Sequence, residues 1–177
     1  MPTSKNVERA MTLLENDPLR TLGLTFNNKR VDPGQYLAKN DAASHPELSF
    51  PQLNPKATYL VVSLDLDAPF VSFRALSPIL HWIQHGLKPV RTEEGGFKLT
   101  INEPFVANYI GPAPPPGAAP HRYVFFLYEE PVGFDGKRFA PPNGKNMGSW
   151  ARMRYDLDAW GQKTGLGPVI AVNYFVS

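Results

Sequence analysis

The sequence predicts a mainly β domain, an antiparallel Greek-key sandwich with about two short peripheral helices. Two observations lead to this prediction. Several short segments rich in apolar and aromatic residues are separated by turn residues, and 19 prolines and 14 glycines leave little room for long helices. No segment shows the strand, glycine-rich loop and helix of a nucleotide-binding α/β unit. A length of 177 residues predicts a single domain over 1–177.

Six segments are predicted to be strands. The apolar run at 58–66 is typical of a strand buried on both faces. The segment 95–105 alternates apolar and polar residues, so one of its faces should be wet. The remaining strands are predicted over 22–31, 78–87, 121–130 and 168–176.

Two helices are predicted at the periphery. Residues 4–16 place apolar side chains at helical spacing, and Pro18 ends the pattern. A second, late helix has Asp156 as its N-cap and Gly165 just past its end. Both patterns are amphipathic, so both helices should pack against the body of the domain.

Composition excludes several classes of function. The net charge is only +2 and the basic residues form no run, which argues against nucleic-acid binding. With no cysteine, the chain has no disulfide, no thiolate metal site and no cysteine nucleophile. It shows no signal peptide and no apolar run long enough for a transmembrane segment, so a cytoplasmic location is expected. No cofactor motif is present.

Polar residues stand at the ends of three predicted strands. Asp65 and Asp67 should project from one face at the end of 58–66, since side chains alternate along a strand. His121 and Tyr123 should likewise share a face, with Arg122 on the other side. If the strand ends meet, they form a small pocket. The predicted pocket groups are Asp65, His81, His121 and Tyr123.

The third strand carries two histidines. His81 and His85 should share a face, with Trp82 and Gln84 opposite. His81 could equally be a hydrogen-bonded core histidine, and His85 a strand-end surface residue. A metal site formed by both histidines and Asp65 is a weaker alternative, because the spacing is not that of a closed zinc site.

The pocket chemistry suits an anion. A carboxylate beside imidazoles favours their protonated form, which would hold a phosphate, and the Tyr123 hydroxyl adds a donor. Anion binding should therefore be tighter below about pH 6.5. Pro112, Pro114, Pro115 and Pro116 restrict the loop that leads to His121, so the rim should be stiff and the pocket preformed. The plainer interpretation of the aspartates is that they bond to their own turn.

Three motifs together resemble the phosphatidylethanolamine-binding protein family. They are "DLDAP" (65–69), "LHW" (80–82) and "YIGPAPPPGAAPHRYVFFLY" (109–128), and the closing "PVIAVNYF" (168–175) also matches. The third motif is the specific one, and its form is closest to the fungal members. The resemblance implies that Asp65, His81, His121 and Tyr123 bind the anion, with walls from Pro69, Gly111, Ala113 and Pro114 and support from Asp67, Trp82 and Arg122. Leu66 and Ala113 depart from the residues usual in the family.

The resemblance leaves three hypotheses of function. The first is a non-enzymatic binding protein for phosphorylated headgroups such as phosphoethanolamine, without cofactor or metal. The second is an inhibitor of serine carboxypeptidases, acting through segment 1–20 or the proline rim; family members also regulate signalling kinases. The third is an enzyme of fungal secondary metabolism, which is disfavoured because no G-x-S-x-G elbow or other evident nucleophile accompanies the histidines.

Overall fold

The computed structural model describes residues 4–177 as one curled sheet with helices on its outside. The strands are β1 (Gly23–Phe26), β2 (Lys29–Val31), β3 (Gln35–Tyr36), β4 (Glu47–Ser49), β5 (Tyr59–Asp65), β6 (Ile79–Arg91), β7 (Phe97–Ile101), β8 (Arg122–Glu129) and β9 (Ala171–Val176). The α-helices are α1 (Lys5–Asn16), α2 (Ser149–Arg152) and α3 (Leu157–Thr164). The predicted mainly β class is therefore confirmed.

The nine strands form a single hydrogen-bonded sheet. Their order is β2-β1-β4-β7-β6-β5-β8-β9-β3, and every pair is antiparallel except β3 with β9. The sheet nearly closes on itself, because the N–H of Leu22 donates to the carbonyl of Val172 at 3.0 Å. The ladder is continuous, so the predicted division into a two-sheet Greek-key sandwich is not confirmed.

Strands β5 and β8 form the centre of the sheet and are covered on both faces. All seven residues of β5 are buried, as predicted for the apolar run. Since side chains alternate, two clusters result. The inner cluster, enclosed by the curled sheet, includes Trp82, Tyr123 and Phe125. The outer cluster, between the sheet and the helices, includes Val124 and Phe126.

Several predicted strands differ from the structure in their bounds. Segment 22–31 is not one strand but the β1–β2 hairpin, because Asn27 and Asn28 adopt φ angles of 48° and 62° and turn the chain back. Asparagine tolerates this left-handed conformation better than most residues, as two-residue hairpin turns require. Strand β7 is shorter than the predicted 95–105, and β6 continues beyond 87 to Arg91.

Both predicted helices are present, and α2 is an additional short one. Helix α1 buries Val7, Ala10 and Leu14 in the outer cluster. In residues 4–177, none of the helices combines the length and the apolarity needed to span a membrane.

Helix α1 is held to α3 by a single carboxylate. Asp158 accepts hydrogen bonds from the N–H of Lys5 at 2.7 Å and of Asn6 at 3.0 Å, and from the hydroxyl of Ser4 at 2.9 Å. These groups include free N–H donors of the first turn of α1, which need an acceptor. Burial would raise the pKa of Asp158, but these hydrogen bonds outweigh it and hold the pKa below its ordinary value.

Asp158→Ala should lower the free energy of unfolding by about 1 kcal/mol, the usual cost of losing a helix cap. Because the folded pKa is depressed, this contribution is complete above about pH 5 and disappears as the pH falls through the folded pKa. Urea unfolding at pH 7 and pH 3 measures both effects. The control is Asp41→Ala, which removes an exposed carboxylate with no hydrogen bond in the described part of the chain. Equal stability of the two variants at pH 7 would contradict the capping role.

Candidate functional site

The candidate site begins where β5 ends in a tight turn. The Asp65 Oδ1 atom accepts a hydrogen bond from the N–H of Asp67 at 2.8 Å, and its Oδ2 atom lies 2.9 Å from Nδ1 of His121. Strand β8 delivers the partner, because Asp65 pairs directly with Tyr123 in the ladder and His121 lies two residues earlier. One buried carboxylate thus forms the turn and orients the imidazole.

The second carboxylate, that of Asp67, binds an arginine instead of a histidine. Asp67 accepts hydrogen bonds from the backbone N–H of Arg122 at 3.0 Å and from its guanidinium Nε and Nη2 atoms, each at 2.8 Å. Burial would raise the pKa of Asp67, but these bonds and the positive charges of Arg122 and Arg74 hold it below its ordinary value. The predicted shared face of Asp65 and Asp67 is wrong, because the strand ends at Asp65 and the turn redirects the second carboxylate to Arg122.

Two irregularities in β6 set the direction of its histidines. Ser63 pairs with Trp82 and Leu64 with Leu80, so His81 is an extra residue that forms a β-bulge. The bulge interrupts the alternation and directs both His81 and Trp82 toward the inner side of the sheet. The predicted opposite placement of these two residues is therefore wrong.

A second irregularity separates the two histidines. Tyr59 pairs with Leu87 and Val61 with Gln84, which leaves two residues of β6 opposite one of β5. Beyond it, the His85 ring packs on Phe134 of the outer cluster with ring centroids 5.4 Å apart. The predicted shared face of His81 and His85 is thus wrong. Within residues 4–177, no three His, Asp or Glu side chains are grouped closely enough to bind a metal ion.

His81 is a neutral histidine with a fixed tautomer. Its Nδ1 atom lies 2.8 Å from the carbonyl oxygen of Ile110, so Nδ1 carries the hydrogen and Nε2 the lone pair. Burial lowers the pKa of His81, and the opposing effects of the Ile110 carbonyl and the Asp65 carboxylate do not restore it. The expectation that both imidazoles are protonated therefore fails for His81, because desolvation outweighs the neighbouring carboxylate.

Two buried polar atoms of the site lack a well-formed hydrogen bond among residues 4–177. They are His121 Nε2 and Tyr123 Oη, although the backbone N–H of Ala113 lies near the Tyr123 hydroxyl. The rings of His121 and Tyr123 stack with centroids 6.4 Å apart, and the His81 ring meets Tyr123 edge-on at 5.0 Å. Burial, assisted by the charge of Asp65, raises the pKa of Tyr123 far above its ordinary value, so the phenol keeps its proton.

The structure brings the four predicted pocket groups together. Asp65, His81, His121 and Tyr123 are 3%, 5%, 1% and 2% exposed, so all four side chains are buried and the predicted preformed pocket is not open at them. A ligand that reaches their polar atoms must displace part of the rim. The arrangement can offer a hydroxyl donor, two imidazole nitrogens and a carboxylate within one small volume.

The proline loop that forms the rim is anchored at both ends. Ile110 donates its N–H to the carbonyl of His81 at 3.0 Å, and His121 exchanges two backbone hydrogen bonds with Ser177. Gly111 lies against residues 42–43; an added Cβ would come within 3.1 Å of the Ala42 carbonyl oxygen, so a larger residue would be crowded there.

The other predicted wall residues differ in accessibility. Pro114 is buried, and its carbonyl oxygen accepts a hydrogen bond from Nζ of Lys39 at 2.9 Å. Ala113 is exposed, and its backbone faces the hydroxyl of Tyr123. Pro69 is half-buried and follows the Asp67 turn through a cis peptide bond.

Sequence reasoning missed two residues beside the site. His45, predicted only as a loop residue, stacks on the supporting residue Trp82 with ring centroids 5.0 Å apart. Arg152 of α2 is 2% exposed and donates to the carbonyl oxygens of Leu80 at 3.1 Å and His81 at 3.4 Å. It therefore holds the backbone of the bulge. No sequence pattern pointed to Arg152, because α2 has only four residues and therefore no helical periodicity.

Comparison with known proteins supports the family suggested by the motifs. The family model described as "Phosphatidylethanolamine-binding protein" matches residues 27–175. The chain is 27% identical over 170 residues to the carboxypeptidase Y inhibitor of Saccharomyces cerevisiae, covering 82% of this chain and 77% of the relative. It is 30% identical over 169 residues to the phomoidride biosynthesis cluster protein N of Talaromyces stipitatus, covering 88% and 83%.

Solved structures give the same result. The crystal structure of carboxypeptidase Y inhibitor complexed with the cognate proteinase matches with a TM-score of 0.70 and 25% identity, covering 97% of this chain and 92% of that one. A phosphatidylethanolamine-binding protein from Plasmodium vivax matches at 0.63 and 17% identity, covering 99% and 96%, and so supports the fold alone. Because the family model spans most of the sequence, the chain belongs to the phosphatidylethanolamine-binding protein family.

Proposed function

We propose that the protein binds a small phosphorylated anion, such as phosphoethanolamine, between His121 and Tyr123. The observation that carries this proposal is the pair of buried atoms without a well-formed hydrogen bond, His121 Nε2 and Tyr123 Oη. A buried polar atom without a hydrogen bond costs about 1–3 kcal/mol. A phosphate oxygen that bonds to both atoms would recover that cost, whereas an apolar ligand would not.

The charge of the site favours binding that takes up a proton. The carboxylate of Asp65 fixes a hydrogen on Nδ1 of His121, so a neutral His121 presents a lone pair at Nε2. An oxygen of a phosphate dianion would place its own lone pair against this nitrogen lone pair, and the two would repel each other. One added proton, on Nε2 or on the phosphate, whose second pKa is about 6, converts the repulsion into a hydrogen bond.

Because His81 is neutral, the two histidines have different roles in the proposed site. His81 stays uncharged because burial lowers its pKa, and its Nδ1–H is committed to the Ile110 carbonyl. It therefore shapes the site beside the Tyr123 ring and leaves the proton-dependent contact to His121. The hydroxyl of Tyr123 is a donor throughout the neutral range.

Tyr123→Phe should weaken phosphoethanolamine binding by about tenfold, because it removes one hydrogen bond to a charged ligand. The free energy of unfolding should change by less than about 1 kcal/mol, since the hydroxyl makes no well-formed hydrogen bond in the described structure. His121→Asn should weaken binding further, since it can still reach Asp65 but lacks Nε2. Isothermal titration calorimetry at pH 6 and pH 8 measures the affinities, with tighter binding expected at pH 6.

The matched control is His85→Asn, a buried histidine of the outer cluster. It should bind phosphoethanolamine as the unmodified protein does. Binding that is independent of pH, or that the His121 and His85 substitutions weaken equally, would contradict the assignment of the site.

Inhibition of a serine carboxypeptidase is a second proposal. It is favoured by the likeness to carboxypeptidase Y inhibitor, which covers 97% of this chain. A protease is too large to reach Tyr123, which is 2% exposed, so inhibition would use the surface of the molecule. The sequence suggested two such surfaces, segment 1–20 and the proline rim. The first includes residues 1–3, which lie outside the described residues, and the second is partly exposed.

Inhibition should be independent of the anion site. The full chain should inhibit a serine carboxypeptidase in a peptide-hydrolysis assay, and Tyr123→Phe should inhibit within about twofold of it, because the substitution leaves the surface unchanged. Removal of residues 1–3 tests the N-terminal segment without taking Val7 and Ala10 out of the core, as removal of 1–12 would. A full chain that leaves hydrolysis unaffected would contradict this proposal.

We propose no catalytic step. The name of the Talaromyces relative refers to a biosynthesis cluster and not to a reaction. Tyr123 and His81 are held in the states that suit binding, a protonated phenol and a neutral imidazole with a committed Nδ1–H.

A further inference from the structure

A cavity lies on the other side of the sheet from the proposed phosphate site. Its volume is about 600 Å³, and it is enclosed by α1, the loop 66–78 and the start of β8. None of Asp65, His81, His121 and Tyr123 lines it. We call it the arginine cavity, because its polar lining includes Arg74, Arg122 and Arg154.

The arginine cavity offers two guanidinium groups that no carboxylate binds closely. Of the acids near it, Asp67 is bound to Arg122, Asp158 is bound to Ser4 and the start of α1, and Glu8 is exposed, which leaves Arg74 and Arg154 without a carboxylate within 3.5 Å among the described residues. Asp67 binds Arg122 on two nitrogens at 2.8 Å and lies 3.9 Å from Arg74. The cavity is therefore suited to a monoanion.

Arg154 is held in place through its backbone and only one side-chain nitrogen. Its N–H donates to the carbonyl of Leu76 at 3.0 Å, and its Nε atom donates to the carbonyl of Ala75 at 2.9 Å. Its φ angle is 52°, a conformation that few residues other than glycine adopt. The two terminal nitrogens make no hydrogen bond within residues 4–177, so they can form a fork for a carboxylate or phosphate.

The remaining walls of the arginine cavity are apolar. Val7 and Met11 of α1, together with Leu66 and Phe73, line one side. Phe73 is 66% exposed, and in the same loop Phe70 is 40% and Val71 is 44% exposed. Exposed apolar residues that are grouped together often mark a binding site on a protein surface. A ligand with a hydrocarbon chain would cover them.

We propose that the arginine cavity binds an amphiphilic monoanion, a hydrocarbon chain that ends in a carboxylate or a phosphate ester. The charged end lies between Arg74 and Arg154, and the chain lies along Met11, Leu66 and Phe73. The cavity volume falls within the range of small-molecule sites, and the combination of an apolar wall with a few convergent polar groups is typical of them. This site is separate from the phosphate site proposed above and does not depend on it.

The test is a titration of the full chain with decanoate, below its micelle-forming concentration, followed by amide ¹H–¹⁵N NMR. Decanoate should shift the resonances of loop 66–78, Arg122 and Arg154 in a saturable way. Acetate, which lacks the chain, and decyltrimethylammonium, which reverses the charge, should not. The double substitution R74Q/R154Q should weaken decanoate binding about tenfold, the sum of two surface charge contacts.

Two further variants keep the test decisive. Phe73→Ser changes an exposed side chain and should weaken decanoate binding about threefold through lost apolar contact. Arg138→Gln, an exposed arginine outside the cavity, is the matched control and should leave binding unchanged. The proposal is overturned if decanoate causes no shifts, or if R74Q/R154Q binds as tightly as Arg138→Gln.

Two additional experiments distinguish the arginine cavity from the phosphate site and a free ligand from a membrane lipid. Phosphate added at saturation should not change the decanoate dissociation constant; competition in which decanoate shifts the resonances of His121 and Tyr123 instead of loop 66–78 would place decanoate at the phosphate site and overturn the proposal. Vesicles of phosphatidylcholine with an anionic lipid test a membrane-bound source. Binding to such vesicles without any response to monomeric decanoate would identify a membrane-docking loop instead of a ligand cavity, and would also overturn the proposal.

Discussion

Two buried carboxylates at the end of β5 are the constraint on which this structure depends. Asp65 and Asp67 are 3% and 1% exposed, and charges so deeply buried are tolerated only with close partners. Each finds its partner at the start of β8, where His121 directly precedes the strand and Arg122 begins it, and the two side chains face opposite sides of the sheet. The two pairs lock the turn after β5 to the start of β8 and create two different environments, one on each side of the sheet.

The bulge in β6 completes the inner environment. In a regular strand, His81 and Trp82 would face opposite sides, and the site would lose either the histidine or the tryptophan wall. The extra residue lets both contribute, and the buried guanidinium of Arg152 stabilises the altered backbone by binding the carbonyl oxygens of Leu80 and His81. A buried arginine without a carboxylate partner is costly, so its several carbonyl acceptors are what make the position tenable.

The sequence predicted those elements that rest on composition and motif. The apolar run of β5, the helical spacing of α1 and the caps of α3 were recognisable, because each depends on neighbouring residues along the chain. The four groups of the candidate site were selected by resemblance and by their positions at strand ends. The faces of His81, His85 and Asp67 were predicted wrongly, since a bulge or an early strand end is set by pairing with a distant strand. Arg152 escaped notice for the same reason: its acceptors are about 70 residues away in the chain.

The two environments support two different proposals. On the inner side, the buried atoms His121 Nε2 and Tyr123 Oη lie near each other, and the proposed phosphate would supply their hydrogen bonds. The outer side combines three guanidinium groups with an exposed apolar loop. Because Arg122 and His121 are adjacent on β8, substitutions at either position should be interpreted with both sites in mind.

The decisive measurement is a crystal structure of the protein grown with phosphoethanolamine at about pH 6. Phosphate oxygens are expected within about 3.2 Å of His121 Nε2 and Tyr123 Oη, with the Asp65–His121 contact intact. A phosphate bound instead among Arg74, Arg122 and Arg154, or an inner site that stays closed at saturating ligand, would refute the assignment of the anion site to His121 and Tyr123.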